Sequence, residues 1–234
     1  MFRRAFSLIE LSVVLVIVSV LLTGIVIGRK MVDRSQILAI MEEINMYKVA
    51  VNTFKSSYNA MPGDMNNASF FFSGAVNGNG TGYIWFNIEH PMAHLLAAGM
   101  IDTKVESNTH VKSKFRNARI YIHYITSGLL PSSSRHGISF VSDTHGSYQS
   151  SILPMEPTVH KWPEDVNDSI LTGYEAHSID EKFDDGIPND GDIGTRMYNY
   201  SGLVGNCTNY GRTAYILNST DRDCKLIFLI EEPI

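Results

Sequence analysis

The sequence predicts an α+β fold in which one long amino-terminal helix precedes a domain built on an antiparallel sheet. The first observation is an apolar run from Phe6 to Ile27, which is long enough to cross a membrane as a helix. The second is an apolar stripe at helical spacing that follows the run without an intervening proline. The third is a set of short β-type segments in the second half of the chain. Because the helix comes first and the strands later, we expect the sheet to pack on the long helix.

The composition indicates a folded domain attached to the apolar run. The chain has 234 residues, of which 44% are hydrophobic and 18% are charged, so the part beyond the run can bury a core. The formal net charge is −5. A domain whose main task is to bind nucleic acid presents a basic face, so we expect no nucleic-acid partner.

The apolar run contains one ionisable side chain, that of Glu10. An ionised group in hydrocarbon costs about 2.5–3.5 kcal/mol, so a carboxylate at this position needs a reason. A secretory signal peptide would have a shorter apolar core followed by a small-x-small cleavage site, whereas this run continues to Ile27 and meets Gly28-Arg29-Lys30. An ordinary membrane anchor fits the length but leaves Glu10 unexplained.

The helical pattern continues beyond the membrane-length run. An apolar residue recurs every three or four positions, as one face of an α-helix requires. These residues are Ile37, Met41, Ile44, Tyr47, Val51, Phe54 and Tyr58. Pro62 and Gly63 then favour a turn, because proline cannot continue a helix. We therefore predict a leader at residues 1–5, a transmembrane helix at 6–28, its amphipathic continuation at 29–58, and a globular head at 59–234.

The head begins with turn signals and continues with short strands. Asp64 or Asn66 is expected to cap a short helix that runs to Phe72. A loop rich in glycine and asparagine then precedes a helix that ends at Gly99. His90 and His94 are spaced i, i+4, but no third ligand accompanies them, so we assign them to this helix and not to a zinc site. Further along, we predict a helix at 171–183 and strands at 119–125, 137–141 and 225–230.

The two cysteines, Cys207 and Cys224, both lie within the last thirty residues of the chain. An even pair outside the membrane predicts one disulfide, which would contribute about 3 kcal/mol for a loop of this length. The alternative is a pair of reduced thiols in a cytosolic domain.

Residues 1–5 form a short basic leader that ends in a small residue, and Phe6-Ser-Leu-Ile-Glu10 and the apolar helix follow it. This order resembles the amino-terminal signature of the type IV prepilin family, which includes the pseudopilins of type II secretion. The resemblance implies that a membrane aspartyl peptidase cuts between Ala5 and Phe6 and methylates the new Phe6 amine. Ala5 departs from the family, which strongly prefers glycine before the cut, and this bears on the efficiency of cleavage.

The resemblance also implies a role for Glu10, the fifth residue of the mature chain. In this family the carboxylate meets the amino-terminal ammonium of a neighbouring subunit when helices pack into a filament, which offsets the cost of a charge in hydrocarbon. The implied partners are the prepilin peptidase, other pilin or pseudopilin subunits, an inner-membrane assembly platform and the membrane itself. The implied location is the bacterial inner membrane, crossed once, with the head in the periplasm and in a filament after assembly.

An acidic stretch lies between Asp180 and Asp192. Several secretion pseudopilins bind calcium in an acidic loop near the carboxyl terminus, and the resemblance implies that Ca²⁺ could bind here. The oxygen donors would be Asp185, Asn189, Asp190 and Asp192. Asp, Asn, Gly and Pro also form turns without a metal, and that alternative stays open.

The sequence therefore predicts a pilin-like structural subunit and not an enzyme. The head is larger than expected for a major pilin, which favours a minor or specialised subunit of a type II secretion pseudopilus or type IV pilus. The alternative is a membrane-anchored periplasmic binding or adhesion module that does not polymerise. A hydrolase built on Ser132–Ser134 and His136 is the least favoured interpretation, because no Gly-x-Ser-x-Gly motif frames these serines.

Overall fold

The structure is a computed structural model of the chain. The described residues are 8–84, 90–103, 105–107, 110–116, 118–125, 135–142, 169–195, 206–209 and 211–230. The predicted leader and the predicted processing residues Ala5 and Phe6 lie outside them. The chain divides into two compact units within the first helix, between Met41 and Glu42, and each unit is described by itself.

Helices dominate the amino-terminal part of the described chain and strands the later part. The helices are α1 (Leu8–Tyr58), α2 (Ala68–Phe71), α3 (Pro91–Ala97) and α4 (Gly173–Phe183). The strands are β1 (Val105–Ser107), β2 (His110–Lys112), β3 (Arg119–Ile125), β4 (Arg135–Val141), β5 (Ile193–Thr195) and β6 (Leu226–Leu229). The predicted α+β class is confirmed.

The part of α1 that belongs to the second unit supplies one side of the core of that unit. The apolar stripe predicted from the helical spacing is buried there, as hydrophobic burial of one helix face requires. Ile44, Tyr47, Val51 and Phe54 have no exposed surface. The amphipathic pattern is thus confirmed, and residues 42–58 belong to the same compact unit as the head.

Within the described residues the sheet has six strands in the order β1-β2-β3-β4-β6-β5, and every neighbouring pair of these is antiparallel. Its centre is the long pairing of β3 with β4, which runs from Arg119 opposite Val141 to Ile125 opposite Arg135. All four residues of β6 are buried, as expected for a short strand that is apolar without alternation. The three predicted strands are therefore confirmed as β3, β4 and β6, whereas β1, β2 and β5 were not predicted.

The start of α2 corrects one prediction. Neither Asp64 nor Asn66 caps this helix: its N-cap residue is Asn67, which makes no side-chain capping hydrogen bond. The carboxylate of Asp64 instead accepts hydrogen bonds from backbone N–H groups of the loop that follows α2. By contrast α4 begins with a capping box, in which Thr172 and Glu175 bond each other's backbone N–H groups.

Candidate functional site

The apolar segment of α1 has the dimensions of a membrane span. Leu8–Gly28 is a stretch of 21 helical residues whose apolar window is 0% buried within the chain. At a rise of about 1.5 Å per residue it is about 32 Å long, close to the thickness of about 30 Å of a bilayer core. A helix whose entire apolar surface is exposed needs lipid or other helices around it.

The hydroxyl groups within this segment bond to the helix itself. Ser12 donates to the carbonyl of Ile9 at 2.9 Å, and Ser19 donates to the carbonyl of Leu15 at 2.7 Å. Thr23 donates to the carbonyl of Ser19 at 2.8 Å. Because an unsatisfied polar group in hydrocarbon costs several kcal/mol, this internal bonding keeps the segment compatible with lipid.

Glu10 lies in the first turn of α1, and its side chain is exposed. A carboxylate in the first turn of a helix interacts favourably with the helix dipole, which carries partial positive charge at that end. The structure therefore places the acid predicted for assembly at the amino-terminal end of the membrane-length segment, on its surface. The predicted cleavage junction, Ala5 and Phe6, lies outside the described residues.

In the second unit, Asp64 organises the loop that precedes α3. Its Oδ1 accepts from the Thr81 N–H at 2.8 Å, and its Oδ2 accepts from the Gly82 N–H at 2.8 Å. The backbone carbonyl of Asp64 accepts from the Gly80 N–H at 2.8 Å. The same loop passes so close to the Pro62-Gly63-Asp64 turn that a Cβ at Gly78 would lie 2.2 Å from the Gly63 carbonyl oxygen. Only glycine fits at position 78 without displacing this turn.

His94, on α3, completes this arrangement from the other side. Its side chain is buried, and its Nδ1 accepts a hydrogen bond from the Gly63 N–H at 2.9 Å. Its Nε2 lies 2.7 Å from the carbonyl oxygen of Val76, which can only accept, so Nε2 carries the proton. Both ring nitrogens are engaged within the head, which leaves neither available to a zinc ion.

The acidic stretch forms a tight loop around the carboxylate of Asp184. Its Oδ2 accepts from the backbone N–H groups of Asp192 and Ile193, both at 2.6 Å. A Cβ at Gly191 would lie 2.2 Å from the same oxygen, which explains a glycine at this position. Asp184 therefore acts as the internal anchor of the loop, a role that residue type and spacing do not predict.

The carboxylates that converge in this loop differ from those predicted to bind calcium. Ligand atoms of Asp180, Asp184 and Asp185 lie within 4.8 Å of one another. Asp185 is the member shared with the predicted donors, and its Oδ1 accepts from the Ile187 N–H at 2.7 Å. Asp190 accepts from the Gly191 N–H, and Oδ1 of Asn189 is buried without a hydrogen-bond partner. Oxygen donors are thus available here, and the calcium site stays a prediction.

Asp180 connects the acidic loop to the disulfide. Its Oδ2 accepts a hydrogen bond from the Tyr215 hydroxyl at 2.6 Å, and burial raises the pKa of its carboxyl group to about 7. Tyr215 lies between Cys207 and Cys224, which form a disulfide bond. We call residues 207–224 the strap, because the disulfide closes this segment into a loop beside α4.

Two buried histidines, His123 and His136, lie on neighbouring strands of the sheet. His136 is buried in β4, and its Nε2 accepts from the Ile84 N–H at 3.3 Å. His123 on β3 is also buried, and its Nε2 lies 2.8 Å from the hydroxyl of Ser139. Ser132–Ser134, which the sequence placed beside His136, lie outside the described residues.

Comparison with known proteins identifies the amino-terminal segment. The family model described as the prokaryotic N-terminal methylation motif matches residues 1–26. This is the prepilin-type signature, so the resemblance derived from residues 1–10 is confirmed for this segment. No curated protein and no solved structure matches the chain.

The motif and the exposed apolar helix support the same coarse function. The motif supports a processed subunit of the type IV pilin or pseudopilin kind, which implies processing by a prepilin peptidase and assembly with other pilins. It suggests a structural subunit and not an enzyme. Together with the membrane-length segment Leu8–Gly28, it suggests a protein anchored by a single membrane-spanning helix.

Proposed function

We propose that this chain is a minor or specialised subunit of a type II secretion pseudopilus or type IV pilus. In this proposal the prepilin peptidase removes residues 1–5 and methylates Phe6. The inner-membrane assembly platform then moves the subunit from the membrane into a filament. The head, which faces the periplasm, carries the specialised role.

The observation that carries the proposal is the combination of the methylation motif with Glu10 at the surface of an apolar helix. The motif covers residues 1–26, and the helix from Leu8 to Gly28 exposes its apolar side chains. A carboxylate in that setting is costly unless a positive charge approaches it. The Phe6 ammonium of a neighbouring copy supplies this charge, so helix packing and charge pairing occur in the same step.

The test combines processing and assembly in one set of variants. The full chain is produced in cells that contain a pilus or pseudopilus assembly system, and the mass of the mature protein is measured. We expect it to begin at a methylated Phe6. We also expect Glu10→Gln to be cleaved normally and to stay in the membrane. Its amount in sheared filaments should fall at least about tenfold, because the Phe6 ammonium of the neighbouring copy loses its partner and an unpaired charge in hydrocarbon costs about 2.5 kcal/mol or more.

The matched control is Ser12→Ala, two residues along the same helix. This variant removes only a hydroxyl that donates to the Ile9 carbonyl, so filament incorporation should be unchanged. If Glu10→Gln enters filaments as well as Ser12→Ala does, the assembly proposal is wrong. A binding or adhesion module that is anchored but does not polymerise would then be the better description.

A further inference from the structure

The segment between α2 and α3 contains a loop rich in glycine that hydrogen-bonds to the rest of the head at most of its residues. We call residues 76–82 the glycine loop. Its backbone bonds to Met65 and Asp64 through Gly78 and Gly80, both at 2.8 Å. At its first residue, the carbonyl oxygen of Val76 accepts from Nε2 of His94.

His94 holds two segments at once, because each ring nitrogen makes a different bond. Nδ1 accepts from the Gly63 N–H, which fixes the Pro62-Gly63 turn, and Nε2 donates to Val76, which fixes the glycine loop. The ring also packs against Phe54 of α1, with centroids 6.1 Å apart. The imidazole is thus the point at which the turn, the loop and α1 meet.

This arrangement requires a neutral imidazole. A protonated ring carries hydrogens on both nitrogens, so Nδ1–H would face the Gly63 N–H, and two donors cannot bond each other. Moving the Gly63 N–H away would disturb the turn that also carries Asp64. The fold therefore accommodates one protonation state of His94 and excludes the other.

Among the residues that the structure describes, the groups around His94 do not offer a counter-charge to a protonated ring. On its own helix the nearest titratable side chain is His90, which has the same sign when protonated. Asp64 directs its two carboxylate oxygens to the N–H groups of Thr81 and Gly82. From α1 the contacting ring is that of Phe54, and the glycine loop itself contains no charged side chain.

We propose that His94 is an acid-sensitive latch: its neutral imidazole holds the Pro62-Gly63-Asp64 turn on which the glycine loop rests, and its protonation releases this turn and, with it, the loop. In agreement with this, burial lowers the pKa of His94 below its ordinary value; the hydrogen bond to the Val76 carbonyl opposes this shift in part, and the neighbouring His90 adds to it. The opened loop, in which the ring reaches water, takes up a proton more readily than the closed one. Opening is therefore independent of pH above about 6.5 and becomes more favourable as the pH falls from there towards the lowered pKa of the closed form.

Hydrogen exchange on the full chain in detergent micelles tests the latch. We expect protection of residues 76–82 and of Gly63 to fall about tenfold between about pH 7.5 and about pH 5.5, after correction for the intrinsic exchange rate. Strand β6 (Leu226–Leu229), which is buried and carries no titratable side chain, serves as the internal reference and should keep its protection. If protection of the glycine loop relative to β6 does not change over this range, the latch is excluded.

Two asparagine variants assign the effect to one ring. In His94→Asn the side-chain oxygen can still accept from Gly63 but does not titrate, so the pH dependence of loop exchange should disappear. His90→Asn is the matched control: it removes the neighbouring imidazole at the N-cap of α3, where asparagine is favourable, and should leave the pH dependence in place. A pH dependence that persists in folded His94→Asn overturns the proposal.

If His94→Asn does not fold, imidazole nitrogen shifts of the wild-type chain decide. We expect His94 to show the neutral form protonated at Nε2 at about pH 7.5, and its protonation at lower pH to coincide with faster exchange of the loop. Titration of His94 with no change in loop exchange would overturn the latch. This outcome does not depend on whether the chain assembles into filaments.

Discussion

Asp184 explains at the level of one side chain why the acidic stretch forms a compact loop. Its carboxylate accepts two backbone N–H groups and lies against Gly191, so negative charge here has a structural use without any metal. Hydrogen bonds to a charged acceptor contribute about 1.5–3 kcal/mol, which is enough to order a short loop. Asp185 differs, because it is exposed and lies beside the other two converging carboxylates.

Asp185 is therefore the residue at which to test for calcium. If the loop binds Ca²⁺ with the affinity of about 1 mM that extracellular modules have, then about 10 mM calcium stabilises the head by about 1.4 kcal/mol. We expect the melting temperature of the full chain to rise by about 3–6 °C, as measured by circular dichroism. Asp185→Asn should remove this rise, whereas Asp102→Asn, which alters an exposed aspartate outside the converging group, should retain it.

Magnesium provides the second control for the same experiment. It demands a small octahedral site and keeps its waters, so at equal concentration it should raise the melting temperature less than calcium does. Equal shifts with both ions would indicate general screening of negative charge. No shift with calcium would leave the loop as a turn organised by Asp184 alone.

The contrast between Asp184 and the predicted donors shows what could be predicted from single residues. Residue type and spacing indicated that acids gather between Asp180 and Asp192, and the structure brings carboxylates of this stretch together. Which of them accept backbone N–H groups depends on the path of the loop, which residue type does not encode. The bond from Thr81 to Asp64 spans 17 positions and that from Gly63 to His94 spans 31, so neither could be predicted from a local pattern.

At the level of elements, predictability followed length. The stripe on α1 and the strands β3, β4 and β6 were predicted, because each is long enough or apolar enough to show its period. Strands β1, β2 and β5 have three residues each, too few for an alternating pattern to stand out. Their pairing with neighbouring strands fixes them, which is a tertiary effect.

The shape of the strap is fixed by an isolated β-bridge and single backbone hydrogen bonds. Thr208 and Tyr215 form an isolated bridge within it, and the Ile216 N–H donates to the Cys207 carbonyl at 2.8 Å. Gly173, the first residue of α4, lies so close to the strap that a Cβ would be 2.0 Å from the Ile216 carbonyl oxygen. The disulfide therefore holds a segment that contacts the start of α4 and, through Tyr215, its buried Asp180.

Opening the disulfide should loosen the strap and lower the stability of the head. The bond spans a separation of 17 residues. A loop of this size contributes about 3 kcal/mol, so the double variant Cys207→Ala with Cys224→Ala should melt about 6–12 °C below the wild-type chain. Alanine avoids burying a new hydroxyl at Cys224, which has no exposed surface.

Reduction of the wild-type chain gives an independent measure of the same bond. Melting in the presence of a thiol reductant should approach the value of the double alanine variant, while the variant itself should not respond to reductant. The Tyr215→Phe variant with the disulfide intact isolates the contribution of the bond to Asp180. An unchanged melting temperature after confirmed loss of the disulfide would show that the other contacts suffice to hold the strap.

At the level of the whole molecule, the two compact units have opposite requirements of their surroundings. The first contains the apolar segment Leu8–Gly28, whose side chains are exposed and which needs lipid or other helices. The second, from Glu42 onward, buries its own core. This division falls inside α1, so the end of a helix and the boundary of a folding unit do not coincide.

The position of this boundary predicts which shortened chain folds. A chain of residues 42–234 retains the buried side chains that α1 contributes to the second unit. We therefore expect it to be soluble and to fold cooperatively. In an oxidising compartment it should also form the Cys207–Cys224 disulfide. A chain of residues 59–234 starts at the boundary predicted from the end of the helix. It lacks those side chains, among them the fully buried Ile44, Tyr47, Val51 and Phe54.

The matched pair is compared by circular dichroism, thermal melting and size-exclusion chromatography. Fully buried side chains of this kind stabilise a fold by about 1.5–3 kcal/mol each, and four of them together approach the total stability of a domain, about 5–15 kcal/mol. The longer chain should therefore melt cooperatively, whereas the shorter one should aggregate or show no transition, because it also exposes the apolar surface that α1 covered. A cooperative transition in the shorter chain, at the temperature found for the longer one, would place the limit of the folding unit at residue 59 and make residues 42–58 part of the anchor alone.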